Sequence, residues 1–88
     1  MMVDRATNPA GWAMLVQELD DAREHLEALV ATMVADGRID QPDFAVQLGH
    51  VYAHLNRAWN GRSDPEAAIS DASWDVTSRF PADLNPVG

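Results

Sequence analysis

The sequence predicts an all-α protein built on a long antiparallel helical hairpin, followed by a short third helix and an extended C-terminal tail. Two observations carry this prediction. Apolar residues recur at alternating spacings of three and four along two long segments, and Gly or Pro residues separate these segments. Because 88 residues without cysteine offer only a marginal core, we also expect the hairpin to form a four-helix bundle as a homodimer.

The first helix is expected at about residues 9–35. Asn8 can cap its free amides, Pro9 fits its first turn, and Asp36-Gly37 ends it. Its apolar positions follow the a and d spacing of a heptad repeat, which predicts a seam against a partner helix. This seam comprises Trp12, Leu15, Leu19, Ala22, Leu26, Leu29 and Met33.

The second helix is expected at about residues 41–60. Asp40 can cap it, Pro42 lies in its first turn, and Asn60-Gly61 ends it. The short connection makes the two helices antiparallel neighbours, so that Leu26 faces Val51. The second seam comprises Phe44, Leu48, Val51, Leu55 and Ala58.

A third, weaker helix is expected at about residues 65–79, because Ser and Asp residues lower its helix propensity and Phe80-Pro81 ends it. The tail, residues 80–88, spaces Phe80, Leu84 and Val87 along an extended chain, and we expect it to dock on the hairpin. Residues 1–88 then form a single helical domain.

One flank of the seam carries a second apolar strip that a two-helix hairpin cannot bury by itself. Two candidates for covering this strip remain. One is the third helix, through a face that includes Ile69 and Val76, and the other is the same strip of a second subunit. Trp74 points away from that face of the third helix, which leaves its indole for another surface. The predicted interaction surface comprises Val16, Val30, Tyr52, Trp59 and Trp74.

The opposite flank carries all three histidines of the chain. The antiparallel register places His25 across from His54, and His50 lies one turn from His54. Imidazole groups on two facing helices can ligate Zn²⁺ or another divalent transition metal, and Asp21 or Glu18 is the predicted fourth ligand. The alternative is a solvated polar border in which histidines and acids pair weakly without an ion. Arg57 lies on this side and can pair with Glu18.

Composition argues against several other functions. Fourteen acidic residues against six basic ones give a formal charge of −8, which disfavours nucleic acid and anionic membranes as partners. No apolar run is long enough for a signal peptide or a membrane span, so we expect a cytoplasmic protein. The chain has no cysteine, and no serine is placed near a histidine by the sequence, so a catalytic role is not predicted.

The leading functional hypothesis is therefore a non-catalytic, dimeric protein-interaction module without a cofactor. The main alternative is a metal-binding helical bundle centred on the three histidines. A second alternative is an acidic inhibitor, or a mimic of nucleic acid, that binds a basic protein partner.

Overall fold

The computed structural model describes residues 2–68 and 70–88, and every regular element within these ranges is an α-helix. Helix α1 spans Pro9–Asp36, α2 spans Gln41–Asn60, α3 spans Pro65–Ala68 and α4 spans Asp71–Thr77. The predicted all-α class and the helical hairpin formed by α1 and α2 are confirmed. Among the described residues, none of the helices combines the length and the apolar character needed to cross a bilayer.

Both ends of α1 are closed by the residues that the sequence predicts. The Asn8 side chain accepts a hydrogen bond from the Gly11 amide at 3.0 Å. At the other end Gly37 adopts a left-handed conformation with φ of 69°, and its amide donates to the Met33 carbonyl at 2.9 Å. A residue with a Cβ atom adopts this conformation at a cost, which explains why glycine ends the helix.

Helix α2 is closed in a similar way. The Asp40 side chain accepts from the Asp43 amide at 2.8 Å, and the Gly61 amide donates to the Arg57 carbonyl at 2.9 Å. Asp43 in the first turn and Arg57 in the last turn place charges that complement the helix dipole. The bounds of α2 therefore match the prediction.

The predicted third helix, 65–79, is instead two short helices. Ser70 has extended backbone, with φ of −67° and ψ of 149°, and precedes the first residue of α4. Its hydroxyl lies 2.7 Å from that of Ser73, and serine side chains that bond locally compete with continuous helix. Ile69, which was expected on the covering face of the third helix, lies outside the described residues.

The core lies between α1 and α2 and is thin. The buried apolar residues among the described positions all lie on the facing sides of these two helices, and they are Ala22, Leu29, Val51 and Ala58. Other seam residues stay near half exposure, among them Leu19 and Leu26 on α1 and Leu55 on α2. The predicted seam therefore forms, but one of its edges remains open.

The C-terminal segment docks on the outer side of α2. The Asn60 side-chain amide donates to the carbonyls of Thr77 and Arg79 at 2.9 and 2.8 Å. Beyond α4, the Phe80 ring packs edge-on against Tyr52 with ring centroids 5.0 Å apart. The expected docking of the tail is thus observed at its start, whereas Val87 is 98% exposed.

Candidate metal centre

The three histidines come together at one flank of the α1–α2 seam. The His25 ring lies 3.9 Å from the His50 ring and 5.3 Å from the His54 ring, measured between centroids. One ring nitrogen from each residue lies within 4.8 Å of the other two. The expected juxtaposition of His25 with His54 is confirmed, because it depends only on the antiparallel register of two regular helices.

His54 is the buried member of this cluster and is 8% exposed. Its Nε2 atom is buried and has no hydrogen-bond partner among the described residues. A buried polar atom without a partner costs roughly 1–3 kcal/mol, and such atoms are uncommon in folded proteins. Nε2 of His54 therefore lacks the hydrogen bond that a buried ring nitrogen normally makes.

The other nitrogen of His54 is held by a buried charge pair. Nδ1 lies 2.8 Å from Oε2 of Glu18, and Oε1 of the same carboxylate accepts from Nε of Arg57 at 3.2 Å. An ionised carboxylate can only accept, so Nδ1 carries the proton and donates it to Glu18. Nη2 of Arg57 lies 3.0 Å from Nδ1, but this contact is then not a hydrogen bond, because both nitrogens carry protons. In the neutral ring, this tautomer leaves a lone pair on Nε2.

Arg57 connects the cluster to helix α4. Its guanidinium donates from Nη1 to the Ser78 hydroxyl at 2.9 Å and lies over the Trp74 ring at 3.9 Å from the centroid. Arg57 is only 5% exposed, so these partners hold it in one position. One face of the Trp74 ring is thus covered by Arg57 of the same chain, and the residue stays 41% exposed, so the use of its indole at another surface stays a prediction.

The two acids expected as fourth ligands lie outside the group of three histidines. Glu18 is engaged by Nδ1 of His54 and by Arg57, so it stands behind the cluster and orients a ligand. Asp21 accepts a hydrogen bond from the Gln17 side chain at 2.9 Å on its own helix. Sequence spacing alone misses this distinction, because both acids share the histidine flank of α1 and differ only in their partners.

The surroundings of His50 disfavour its protonation. Desolvation among the stacked rings lowers the pKa of His50, and the positive charge that His25, His54 and Arg57 can carry lowers this pKa further. A histidine with a lowered pKa is neutral over a wider pH range. Neutral imidazole is the form that binds a metal ion.

The three rings lie as near to one another as the ligands of a metal site do, but they are stacked and do not point toward a common centre. Tetrahedral Zn²⁺ at about 2.0–2.1 Å from each nitrogen places the nitrogens about 3.4 Å apart. From separations of up to 4.8 Å, the histidines would have to close by up to about 1.4 Å to bind such an ion. His50 is exposed and His25 is half-buried, so rotation of these two side chains toward buried His54 would supply that movement.

The predicted interaction surface is divided by the fold. Val16 and Val30 on α1 are about half exposed, as expected. On α2, Tyr52 contacts Phe80, and the Trp59 indole donates to Asp83 at 2.9 Å. The tail thus contacts the α2 part of the strip, whereas Ile69 of the face assigned to the third helix lies outside the described residues.

A second apolar feature is a groove between the two helices, which was not predicted from the sequence. It has a volume of about 590 Å³ and is lined by residues of both seams and of the α1 flank. Its walls include Leu19, Leu26 and Val30 from α1 and Leu55 from α2. Leu19, Leu26 and Leu55 were predicted to lie inside the hairpin together with Leu29. Only the fold shows that these three stay near half exposure while Leu29 is buried.

Comparison of the chain with protein-family models, with curated proteins and with solved structures gave no match in any of the three searches.

Proposed function

We propose that this chain is a metal-binding helical protein that holds one divalent transition-metal ion, with Zn²⁺ the best fit, through His25, His50 and His54. The observation that carries the proposal is the unpartnered, buried Nε2 atom of His54, which lies in a cluster whose ring nitrogens are within 4.8 Å of one another. A metal ion would supply the missing partner of that atom. Zn²⁺ suits a set of neutral nitrogen ligands in flexible geometry.

The arrangement behind His54 supports the same proposal. Histidines that bind metals usually donate their second ring N–H to a carboxylate, which fixes the tautomer and makes the ligating nitrogen more basic. Glu18 holds Nδ1 of His54 in this way at 2.8 Å, and Arg57 holds Glu18. An ion bound by three histidines would keep a fourth position for water on the side of exposed His50.

Metal binding is tested by titrating metal-free protein with Zn²⁺ in competition with a chromophoric chelator. We expect one ion per chain, and we expect His54→Gln to weaken binding by roughly 100-fold or more, since one of three ligands is lost. Asp21→Asn is the matched control, because Asp21 lies on the same flank and bonds to Gln17. Its affinity should stay within about twofold of the parent protein.

Two further measurements examine the role of each nitrogen. With Co²⁺ in place of Zn²⁺, intense visible absorption would report four-coordinate binding, and its loss in His25→Gln would assign that ligand. Long-range ¹H–¹⁵N NMR should show Zn²⁺ shifting Nε2 of His54 while Nδ1 keeps its proton. Stoichiometric Zn²⁺ uptake that is unchanged in His54→Gln, or no uptake at micromolar Zn²⁺, would contradict the proposal.

Glu18→Gln distinguishes positioning from ligation. If Glu18 only orients His54, this variant should weaken Zn²⁺ binding about 10–100-fold and leave one ion per chain. Circular dichroism must first show that the variant keeps its helices, because Glu18 also pairs with Arg57. The predicted homodimer and the predicted role in protein interaction are separate proposals, since the histidines do not line the apolar groove.

A further inference from the structure

The apolar groove between α1 and α2 is an unfinished core. Its floor contains Ala22 and Val51, which are 4% and 6% exposed, whereas Leu26 and Leu55 on its walls are 45% and 41% exposed. Among the described residues no side chain reaches less than 2% exposure. A domain of this size normally encloses some large apolar side chains completely. The hairpin therefore presents one half of a helical bundle core.

The charge at the groove limits what can occupy it. The chain carries a formal charge of −8, but the charged residues that line the groove are Arg23 and Glu27, which pair with each other at 3.2 Å. Arg23 also pairs with Asp20 at 2.6 Å. The groove is thus close to neutral. A strongly basic partner would gain little here, whereas two acidic copies could meet here without burying an unpaired charge.

The dimensions are also sufficient for a second copy. The exposed apolar residues of α1 on this flank run from Val16 to Val34, which is about 27 Å at 1.5 Å per residue, and two adjacent helices present a face roughly 20 Å wide. Each copy would then cover about 540 Å², which gives a total of about 1,100 Å² and exceeds the roughly 1,000 Å² that a specific interface needs. No residue after Leu55 lines the groove, so the docked tail leaves this face open.

We infer that a second copy of this chain packs its own groove against this one, forming a four-helix bundle with two-fold symmetry. Symmetric pairing lets the same half-exposed leucines bury each other, and this is the layer that α1 and α2 alone lack. The histidines lie on the other flank of the seam, so dimerisation through the groove does not require the metal ion. The surface shares Val30 with the strip predicted from sequence and differs from it on α2, where Tyr52 and Trp59 are engaged by the tail.

The oligomeric state is tested by analytical ultracentrifugation of metal-free protein in EDTA over a range of concentrations. We expect twice the chain mass of 9.6 kDa for the parent protein. Leu26→Glu should weaken dimerisation by roughly 100-fold, since each copy would bury a new charge in the interface. Val46→Glu is the matched control, because Val46 is 68% exposed on α2 and does not line the groove. This control should remain dimeric.

Cysteine cross-linking tests the same surface without a destabilising substitution, and the absence of native cysteine makes single-cysteine variants unambiguous. Leu26 lies near the middle of the groove and hence near a two-fold axis, so Leu26→Cys should form an intermolecular disulfide under mild oxidation, whereas Val46→Cys should not. Several results would overturn the inference: a monomer at all concentrations, a dimer that is insensitive to Leu26→Glu, cross-linking at Val46 only, or a monomer whose groove is filled by a different protein. A dimer that forms only with Zn²⁺ would also overturn it and would leave the metal proposal standing.

Discussion

The two flanks of the hairpin satisfy their side chains in opposite ways. On the histidine flank, Glu18, His54 and Arg57 form directional bonds within the chain, and the segment after α2 closes over Arg57. On the groove flank, Leu26 and Leu55 remain near half exposure. Directional polar contacts can complete a site with few residues, whereas apolar burial needs area that a two-helix hairpin cannot supply. The polar flank is therefore organised by the chain itself, whereas the apolar flank keeps half-exposed leucines.

The largest expected effect comes from breaking the buried polar flank at Arg57. Arg57→Ala leaves the Glu18 carboxylate without its cation and removes the contacts to Ser78 and Trp74. We expect the free energy of unfolding to fall by about 3 kcal/mol, measured by urea denaturation. Arg38→Ala is the matched control, because Arg38 is exposed in the connection between α1 and α2, and it should leave stability nearly unchanged. Equal effects of the two substitutions would contradict this account of the polar flank.

The next effect compares two leucines of the same helix. Leu29 is 5% exposed and Leu26 is 45% exposed. Leu29→Ala should cost about 2 kcal/mol at any protein concentration, and Leu26→Ala should cost about 1 kcal/mol in dilute protein. If the groove binds a second copy, the loss of stability caused by Leu26→Ala rises with protein concentration. The loss caused by Leu29→Ala stays constant. Urea unfolding at two concentrations measures both, and a constant difference between the variants would count against a buried groove.

A smaller effect is expected from acidification of the histidine cluster. The lowered pKa of His50 means that the unfolded chain binds a proton there more readily than the folded chain does. The contribution of this group therefore reduces stability as pH falls through the ordinary histidine range near 6.5, and it leaves stability unaffected well above that range. We expect the melting temperature to fall between about pH 7.5 and 5.5, and to fall less steeply in His50→Gln. A steeper fall in the variant would reverse the assigned sign.

The smallest effect concerns the docked tail. A hydrogen bond from Trp59, and then the Arg62 guanidinium, lower the pKa of Asp83. The contact should therefore be complete above the ordinary aspartate range and should be lost only as pH falls through the lowered value. The indole N–H signal of Trp59 in an NMR titration reports this step. Asp83→Asn should remove the pH dependence of that signal and should leave the signals of the other indoles unaffected.

Much of the hairpin could be predicted because its determinants are local. Asn8, Gly37 and Asp40 act on backbone groups within four residues, and they end or begin the helices where the sequence analysis expected. The third helix was predicted less well. Its serine-rich stretch supports both continuous helix and a break, and the choice depends on contacts with α2, such as those of Ser78 with Asn56 and Arg57.

The sequence by itself determined the two long helices, their antiparallel register and hence the meeting of His25, His50 and His54. These follow from helical periodicity and short-range capping, which act whatever lies further away. Only the tertiary structure decided that Glu18 orients His54 and that Arg57 bonds to α4. It also decided that the leucines of one seam edge stay open. Those outcomes depend on which of several competing partners lies within bonding distance, and that distance is defined only once the whole chain has packed.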